Sequence, residues 1–152
     1  MRFVVQRVKR ARVFVEGELS GEIADGFVVL IGVGLGDTKA VADKMVKKLL
    51  GLRIFADEEG KTNRSLSQVE GGLILVSQFT LYADMRRGNR PGFALAADPK
   101  LAEELYEYVV ELCRKEVSKV GTGSFGADMQ VELVNDGPFT VIMDSKELGM
   151  EG

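Results

Sequence analysis

The strand-like segments of this chain come in hairpin-like groups and do not alternate regularly with helices. That spacing excludes a doubly wound parallel sheet and points to an α+β fold. Arg2–Val8 alternates, with Phe3 and Val5 against Val4 and Gln6, and Arg12–Val15 reads as a further strand. Glu18–Ile23 follows across a Glu16-Gly17 turn, and Phe27–Val33 reads as a buried β-branched strand. Leu52–Ala56, Leu73–Tyr82, Met129–Val134 and Phe139–Met143 complete the strand set. Two helices are expected. One is capped by Asp37 and runs to about Leu50, with Val41, Met45 and Leu49 on one stripe and Ala42, Val46 and Leu50 beside it. The other starts at Asp98-Pro99, an N-cap followed by proline at the first helical position, and runs to about Val117 with Leu101, Leu105, Tyr108 and Leu112 inward. The expectation is one domain: a curved, mostly antiparallel or mixed, barrel-like sheet with two main helices on one face. The tail after Asp144 is expected to fray.

The stretch that organises the chain is Gly71–Phe93, GGLILVSQFTLYADMRRGNRPGF. Its apolar run Leu73–Val76 is too short for a helix and leads directly into Ser77, Gln78 and Thr80. A rigid buried strand that turns polar at its end is a good support for reacting groups. In a continuing strand Gln78 and Thr80 share a face, and Ser77 joins them only if the strand bulges or ends. The alternative is polar groups at a strand end, satisfied by backbone. Arg86, Arg87 and Arg90 follow, as either a solvated loop or a phosphate contact. Arg7, Lys9, Arg10 and Arg12 would extend such a patch.

Composition narrows the chemistry. The 152 residues contain no histidine, so no Ser–His or Cys–His dyad exists and the usual base near neutral pH is missing. One cysteine, Cys113, allows no intrachain disulfide, fits a reducing cytoplasm and falls inside a helical pattern, where it should pack. No His/Cys cluster points to a metal, and no window suggests a signal peptide or membrane span. A net charge of −3 argues against indiscriminate nucleic-acid binding but not against a local basic patch. Gly32–Asp37 (GVGLGD) approaches a dinucleotide fingerprint, with the wrong spacing and an aspartate where a pyrophosphate would dock. It reads as a tight turn with an N-cap. Asn135-Asp136-Gly137-Pro138 reads, on its residues alone, as a hairpin turn.

Taken together, the segments resemble the D-aminoacyl-tRNA deacylase family, also called D-tyrosyl-tRNA deacylase. The resemblance spans about residues 1–145, leaving 146–152 as a tail. It rests on VVQRV (Val4–Val8), LRIF (Leu52–Phe55), SQFTLYAD (Ser77–Asp84), RPGF (Arg90–Phe93) and FGADMQVELVNDGP (Phe125–Pro138). Two motifs are diagnostic: Ser77, Gln78 and Leu81 of a Ser-Gln-x-x-Leu signature, and Asn135, Gly137, Pro138 and Thr140 of an Asn-x-Gly-Pro-x-Thr signature. Phe139 and Gly92 depart from the valine and serine usual there.

The resemblance implies hydrolysis of D-aminoacyl-tRNA with rejection of the L form, and leaves open whether glycine is also removed from mischarged tRNA. It implies a cytoplasmic homodimer with no cofactor, no metal and no protein partner beyond its own copy. The catalytic group would be Ser77, Gln78, Phe79 and Thr80. A cis Gly137–Pro138 peptide would reach into the partner's pocket, with Asn135 and Thr140 beside it and Arg7 and Met129 in support. The main-chain carbonyls of that dipeptide would accept the substrate's α-ammonium. Arg86, Arg87 and Arg90 would meet tRNA phosphates. A tRNA-end or nucleotide-binding module without turnover is the alternative.

Overall fold

The computed structural model describes residues 1–150. Its frame is β1 (Arg2–Val15), a single 14-residue strand where the sequence suggests two. One edge of β1 carries β8 (Met129–Asp144), antiparallel from Arg2↔Asp144 to Val15↔Met129. The other edge pairs antiparallel with β3 (Gly26–Gly32) through residues 2–8 and with β2 (Glu18–Ile23) through residues 11–15. β6 (Gly72–Ser77) joins β3 in parallel, and β7 (Val120–Thr122) joins β6 in parallel. Ser20 Oγ donates to Thr122 O at 2.5 Å, which brings β7 back to β2 and nearly closes the sheet into a barrel. β4 (Phe55–Ala56) and β5 (Thr62–Arg64) form a small separate hairpin. The expected strand Leu52–Ala56 is thus only two residues long, and the segment read as irregular, Lys61–Glu70, contains β5.

Period-two alternation divides the interior in two. Phe3, Val5, Phe27, Val29, Ile31, Leu73 and Leu75 face the helices. Val8, Ala11, Val13, Val28, Ile74 and Val76 fill the barrel. β6 is buried on both faces, which is why its sequence is continuously apolar.

Helix α1 (Lys39–Gly51) buries Val41, Ala42, Met45, Val46 and Leu49, in line with the pattern. Its cap differs from the reading: Thr38, not Asp37, accepts from Val41 N at 3.3 Å. Asp37 is engaged elsewhere. Its carboxylate accepts from the buried Met1 ammonium at 2.8 Å and from Gly34 N at 2.7 Å, and the same ammonium donates to Ser145 Oγ at 2.8 Å. A hydrogen bond between charged partners outweighs a neutral cap, so the aspartate turns away from the helix. Asp37→Asn removes the charge from this pair and should cost about 2 kcal/mol, read as a Tm drop of about 6 °C in thermal unfolding. An unchanged Tm would show the pair to be neutral in stability.

Helix α2 (Pro99–Glu116) begins as expected, with Asp98 Oδ1 accepting from Lys100 N and Leu101 N at 3.1 and 3.2 Å. Its buried stripe is turned by about one residue: Ala102, Leu105, Tyr106, Val109, Val110 and Cys113 point inward. Tyr106 takes the inner place because its hydroxyl donates to Leu75 O at 2.7 Å, while Tyr108 stays outside and donates to Asp43 Oδ1 at 2.6 Å. Burial pushes the Cys113 thiol up to about 12, consistent with a packing role. The C-terminal tail is not frayed over residues 146–150. Leu148 N donates to Asp144 O and Met150 N to Ser145 O, at 3.0 and 2.8 Å. Residues 151 and 152 of the expected tail lie outside the described residues.

Candidate active site

A cleft of about 660 Å³ opens where β6 ends. Val76, Ser77, Gln78 and Phe79 form one wall. Phe93, Ala96 and Ala97 come from the following loop, Pro99 and Ala102 from the start of α2, and Phe125–Met129 with Val131 from the approach to β8 and its first turn of strand. Only one of these side chains, Asp128, is ionisable, so the cleft is nearly uncharged.

The strand does not continue to Tyr82. It stops at Ser77; Gln78 has φ −144° and ψ 82°, and Phe79–Tyr82 forms a 3-10 turn. The cause is tertiary. The Tyr82 ring is buried against Gly32 and Gly34, where an added Cβ would lie 3.2 and 2.6 Å from it. Burial, with the charges of Asp37 and Asp144, pushes the Tyr82 hydroxyl well above its usual pKa. Gln78 N donates to Ile31 O at 2.8 Å, and the turn closes through Leu81 N to Gln78 O and Ala83 N to Thr80 O, at 3.2 and 3.1 Å. The N–H groups of Phe79 and Thr80, between those bonds, have no acceptor among the described residues. Two adjacent main-chain donors are therefore free beside the cleft.

The turn also decides how the side chains are used. Gln78 Nε2 donates to Thr80 Oγ1. Thr80 is exposed and is not a lining residue, and among the described residues no basic side chain is hydrogen-bonded to its hydroxyl. The Phe79 ring, 54% exposed, meets Phe93 edge-on at 4.9 Å between centroids.

The basic loop is folded on itself. Asp84 and Gly92 exchange two backbone hydrogen bonds of 2.8 and 2.9 Å. Arg86 is clamped to Asp84 through Nε and Nη2, both at 2.8 Å, which holds the Asp84 carboxyl at about 2. Arg87 and Arg90 have no such partner among the described residues.

The proline segment is a bulge inside β8, not a break between two strands. The β1–β8 register slips between Gln6 and Val8 and again between Val8 and Arg10. Asn135 Nδ2 bridges the bulge, donating to Arg7 O at 2.9 Å and Phe139 O at 3.1 Å. Arg7 grips it from β1. Nε donates to Asp136 O at 3.1 Å, Nη1 donates to Ile54 O at 2.5 Å, and the guanidinium lies 5.0 Å over the Phe139 ring. The expected cis peptide is absent: Gly137–Pro138 is trans, and no cis bond occurs among the described residues. Trans is favoured by about 0.5–1 kcal/mol at such bonds, and Gly137 at φ +114° makes the reversal by itself.

The expected site residues thus fall in two places. Ser77, Gln78, Phe79 and Met129 line the cleft, and the adjoining Thr80 does not. Gly137 and Pro138 stand on the bulge with Asn135 and Thr140 flanking it, and none of the four lines the cleft of the same chain. The sequence reading missed Phe93, Phe125 and Asp128 as lining residues, although all three fall within or beside segments that carry the resemblance. Gly123 hints at the crowding there, since an added Cβ would overlap Met129 Sδ.

The family model for D-Tyr-tRNA(Tyr) deacylase matches residues 4–144. The chain belongs to that family. It is 52% identical over 148 residues to a D-aminoacyl-tRNA deacylase of Syntrophomonas wolfei, covering 97% of this chain and 99% of the relative. It is 54% identical over 147 residues to one of Symbiobacterium thermophilum, covering 97% of each. Among solved structures, one named c-Myc DNA Unwinding Element Binding Protein superposes with a TM-score of 0.90 at 42% identity, over 95% of this chain and 99% of the other. A probable eukaryotic D-amino acid tRNA deacylase gives 0.77 at 18% identity over 93% and 97%, which establishes a shared fold and no more.

Proposed function

We propose that this chain hydrolyses the ester bond of D-aminoacyl-tRNA in the cytoplasm, rejects the L form and also clears glycine from mischarged tRNA. The observation that carries this reading is the pair of unpaired N–H groups of Phe79 and Thr80 at a nearly uncharged cleft, in a chain of this family. An aminoacyl ester is already activated, so a thousandfold acceleration, about 4 kcal/mol, suffices. One well-placed oxyanion donor supplies about 3 kcal/mol. The two N–H groups bind the developing oxyanion, Ser77 and Gln78 hold the terminal adenosine, and Arg87 and Arg90, more than the clamped Arg86, meet phosphates of the acceptor end.

The active species is a homodimer of two 1–145 units, each with its 146–152 tail, and two interfacial sites. The Gly137-Pro138 bulge of one protomer enters the partner's cleft, where its carbonyls accept the α-ammonium and its bulk excludes an L side chain. Several features support this. The bulge is exposed at Gly137 and Pro138 and does not line its own cleft. β8 pairs with β1 alone, so its outer edge is open among the described residues, with Ile142 69% exposed.

Thr80 positions a water or the ribose 2′-hydroxyl and does not attack, because no base among the described residues is hydrogen-bonded to its hydroxyl to take the proton. Thr80→Ala should therefore keep kcat within about tenfold of wild type, since losing one orienting hydrogen bond costs about 1 kcal/mol. Complete loss with intact substrate binding would restore the nucleophile. The reaction itself is tested by incubating the protein with D-Tyr-tRNA and L-Tyr-tRNA. Release of tyrosine from the D form alone is expected; equal release from both, or from neither, overturns the reading. A second reading, nucleic-acid binding without turnover, is favoured by the name of the relative that is 42% identical. It predicts retention of tRNA ends with the ester intact.

A further inference from the structure

The two free N–H groups are useful only if the 3-10 turn holds them still. Its entry is fixed by Gln78 N on Ile31 O at 2.8 Å. Its exit is fixed by a residue 79 positions away: Arg2 Nη1 donates to Leu81 O at 2.9 Å. The Arg2 guanidinium is itself oriented from two further sides. Nε donates to Asp144 Oδ2 at 2.6 Å, and the group lies 4.5 Å from the Tyr82 ring centroid. Asp144 is ordered in turn, its Oδ1 accepting from Lys146 N at 2.9 Å. Burial opposes the charge on Asp144, but hydrogen bonds from Arg2 and from backbone N–H groups hold the carboxyl below its usual range.

We infer that Arg2 is a positioning residue for hydrolysis. From β1 it clamps the carbonyl that ends the 3-10 turn, and so fixes the direction of the Phe79 and Thr80 N–H groups. A fork-shaped donor suits the task, because one nitrogen serves Leu81 while another keeps the carboxylate. Arg2 touches neither the cleft nor a reacting atom, so its effect falls on how well the donors meet the oxyanion. The expected signature is a loss in kcat with little change in KM. This inference rests on the functional reading above, but its structural half can be tested without it.

The test uses the full-length protein with Arg2→Met, which keeps an unbranched stem and loses both donors, Arg2→Lys, and Tyr108→Phe as a control that breaks a helix-to-helix bond elsewhere. Arg2→Met should lower kcat for D-Tyr-tRNA about tenfold with KM within twofold, and speed amide exchange at Leu81 and Ala83, whose N–H groups close the turn. Arg2→Lys, able to serve one partner at a time, should recover at least a third of wild-type kcat. Tyr108→Phe should leave both readouts at wild type. If Arg2→Met does not fold, Asp144→Asn replaces it, with an expected kcat loss of about threefold and the same exchange pattern. Wild-type kcat with unchanged exchange at the turn overturns the inference, as does a loss that appears wholly in KM. A wild-type protein that releases no D-tyrosine defeats the functional reading instead, and the exchange comparison still decides whether Arg2 holds the turn.

Discussion

Gly137→Ala should erase most of the preference for D- over L-Tyr-tRNA while leaving the protein folded. Gly137 sits at φ +114°, where an L residue is strained by about 1–3 kcal/mol. An added Cβ would also overlap Arg7 Nη2. Arg7 cannot simply swing aside, because the same guanidinium holds Asp136 O and Ile54 O. The bulge must therefore shift, and the Gly137 and Pro138 carbonyls with it. A misplacement of about 1 Å costs roughly a hundredfold in a positioned reaction. The expected result is a kcat/KM for D-Tyr-tRNA lower by about two orders of magnitude, a narrowed D/L ratio, and a Tm drop of about 5 °C. Parallel deacylation assays on both substrates and a melting curve check it. An unchanged D/L ratio would make the bulge a connection and nothing more, and would remove the basis for a site shared across a dimer.

Much of this arrangement was legible from residues alone, and the failures have identifiable causes. The Asp98-Pro99 helix start succeeded because both residues act locally, through a side-chain cap and a fixed φ. The buried β6 succeeded because a strand covered on both faces has to be continuously apolar. Asp37 was misread because the competing partner, the Met1 ammonium, is 36 residues away in sequence. The SQFTLY segment alternates well enough to read as strand, and local pattern favours that reading. The turn arises because Tyr82 finds a slot between Gly32 and Gly34, and because Arg2 holds Leu81 O. In the same way, Asn135–Pro138 has the composition of a hairpin turn. It stays within one strand because β1 is continuous beside it and Asn135 spans the bulge. The Ser-Gln-x-x-Leu and Asn-x-Gly-Pro-x-Thr signatures thus drew attention to these two segments before their conformations could be read. Both conformations are imposed by the N-terminal strand: Arg2 acts on the first and Arg7 on the second.

The position least tolerant of change should be Gly26, which belongs to neither motif. It opens β3, pairing with Val8 of β1 on one side and Gly72 of β6 on the other. An added Cβ would overlap Gly72 O and lie 2.8 Å from Gly72 C and N. These are backbone atoms inside a parallel pair, so no rotamer change relieves the clash. Gly26→Ala should cost at least about 3 kcal/mol, a Tm drop of about 10 °C, or yield no soluble protein. Gly36→Ala is the informative comparison: φ is also positive, at +79°, but nothing lies within 4 Å of the added Cβ. That change should cost only about 1–2 kcal/mol, the dihedral penalty alone. Urea unfolding of the two variants separates steric wedge from backbone strain, and equal costs would refute the wedge. The consequence reaches the cleft through the β3–β6 register, which runs from Gly26↔Gly72 to Ile31↔Ser77 and is followed at once by the Gln78–Ile31 bond that starts the 3-10 turn. Any folded Gly26→Ala protein should therefore lose kcat as well as stability, because spreading β3 from β6 at one end loosens the anchor of the Phe79 and Thr80 N–H groups at the other.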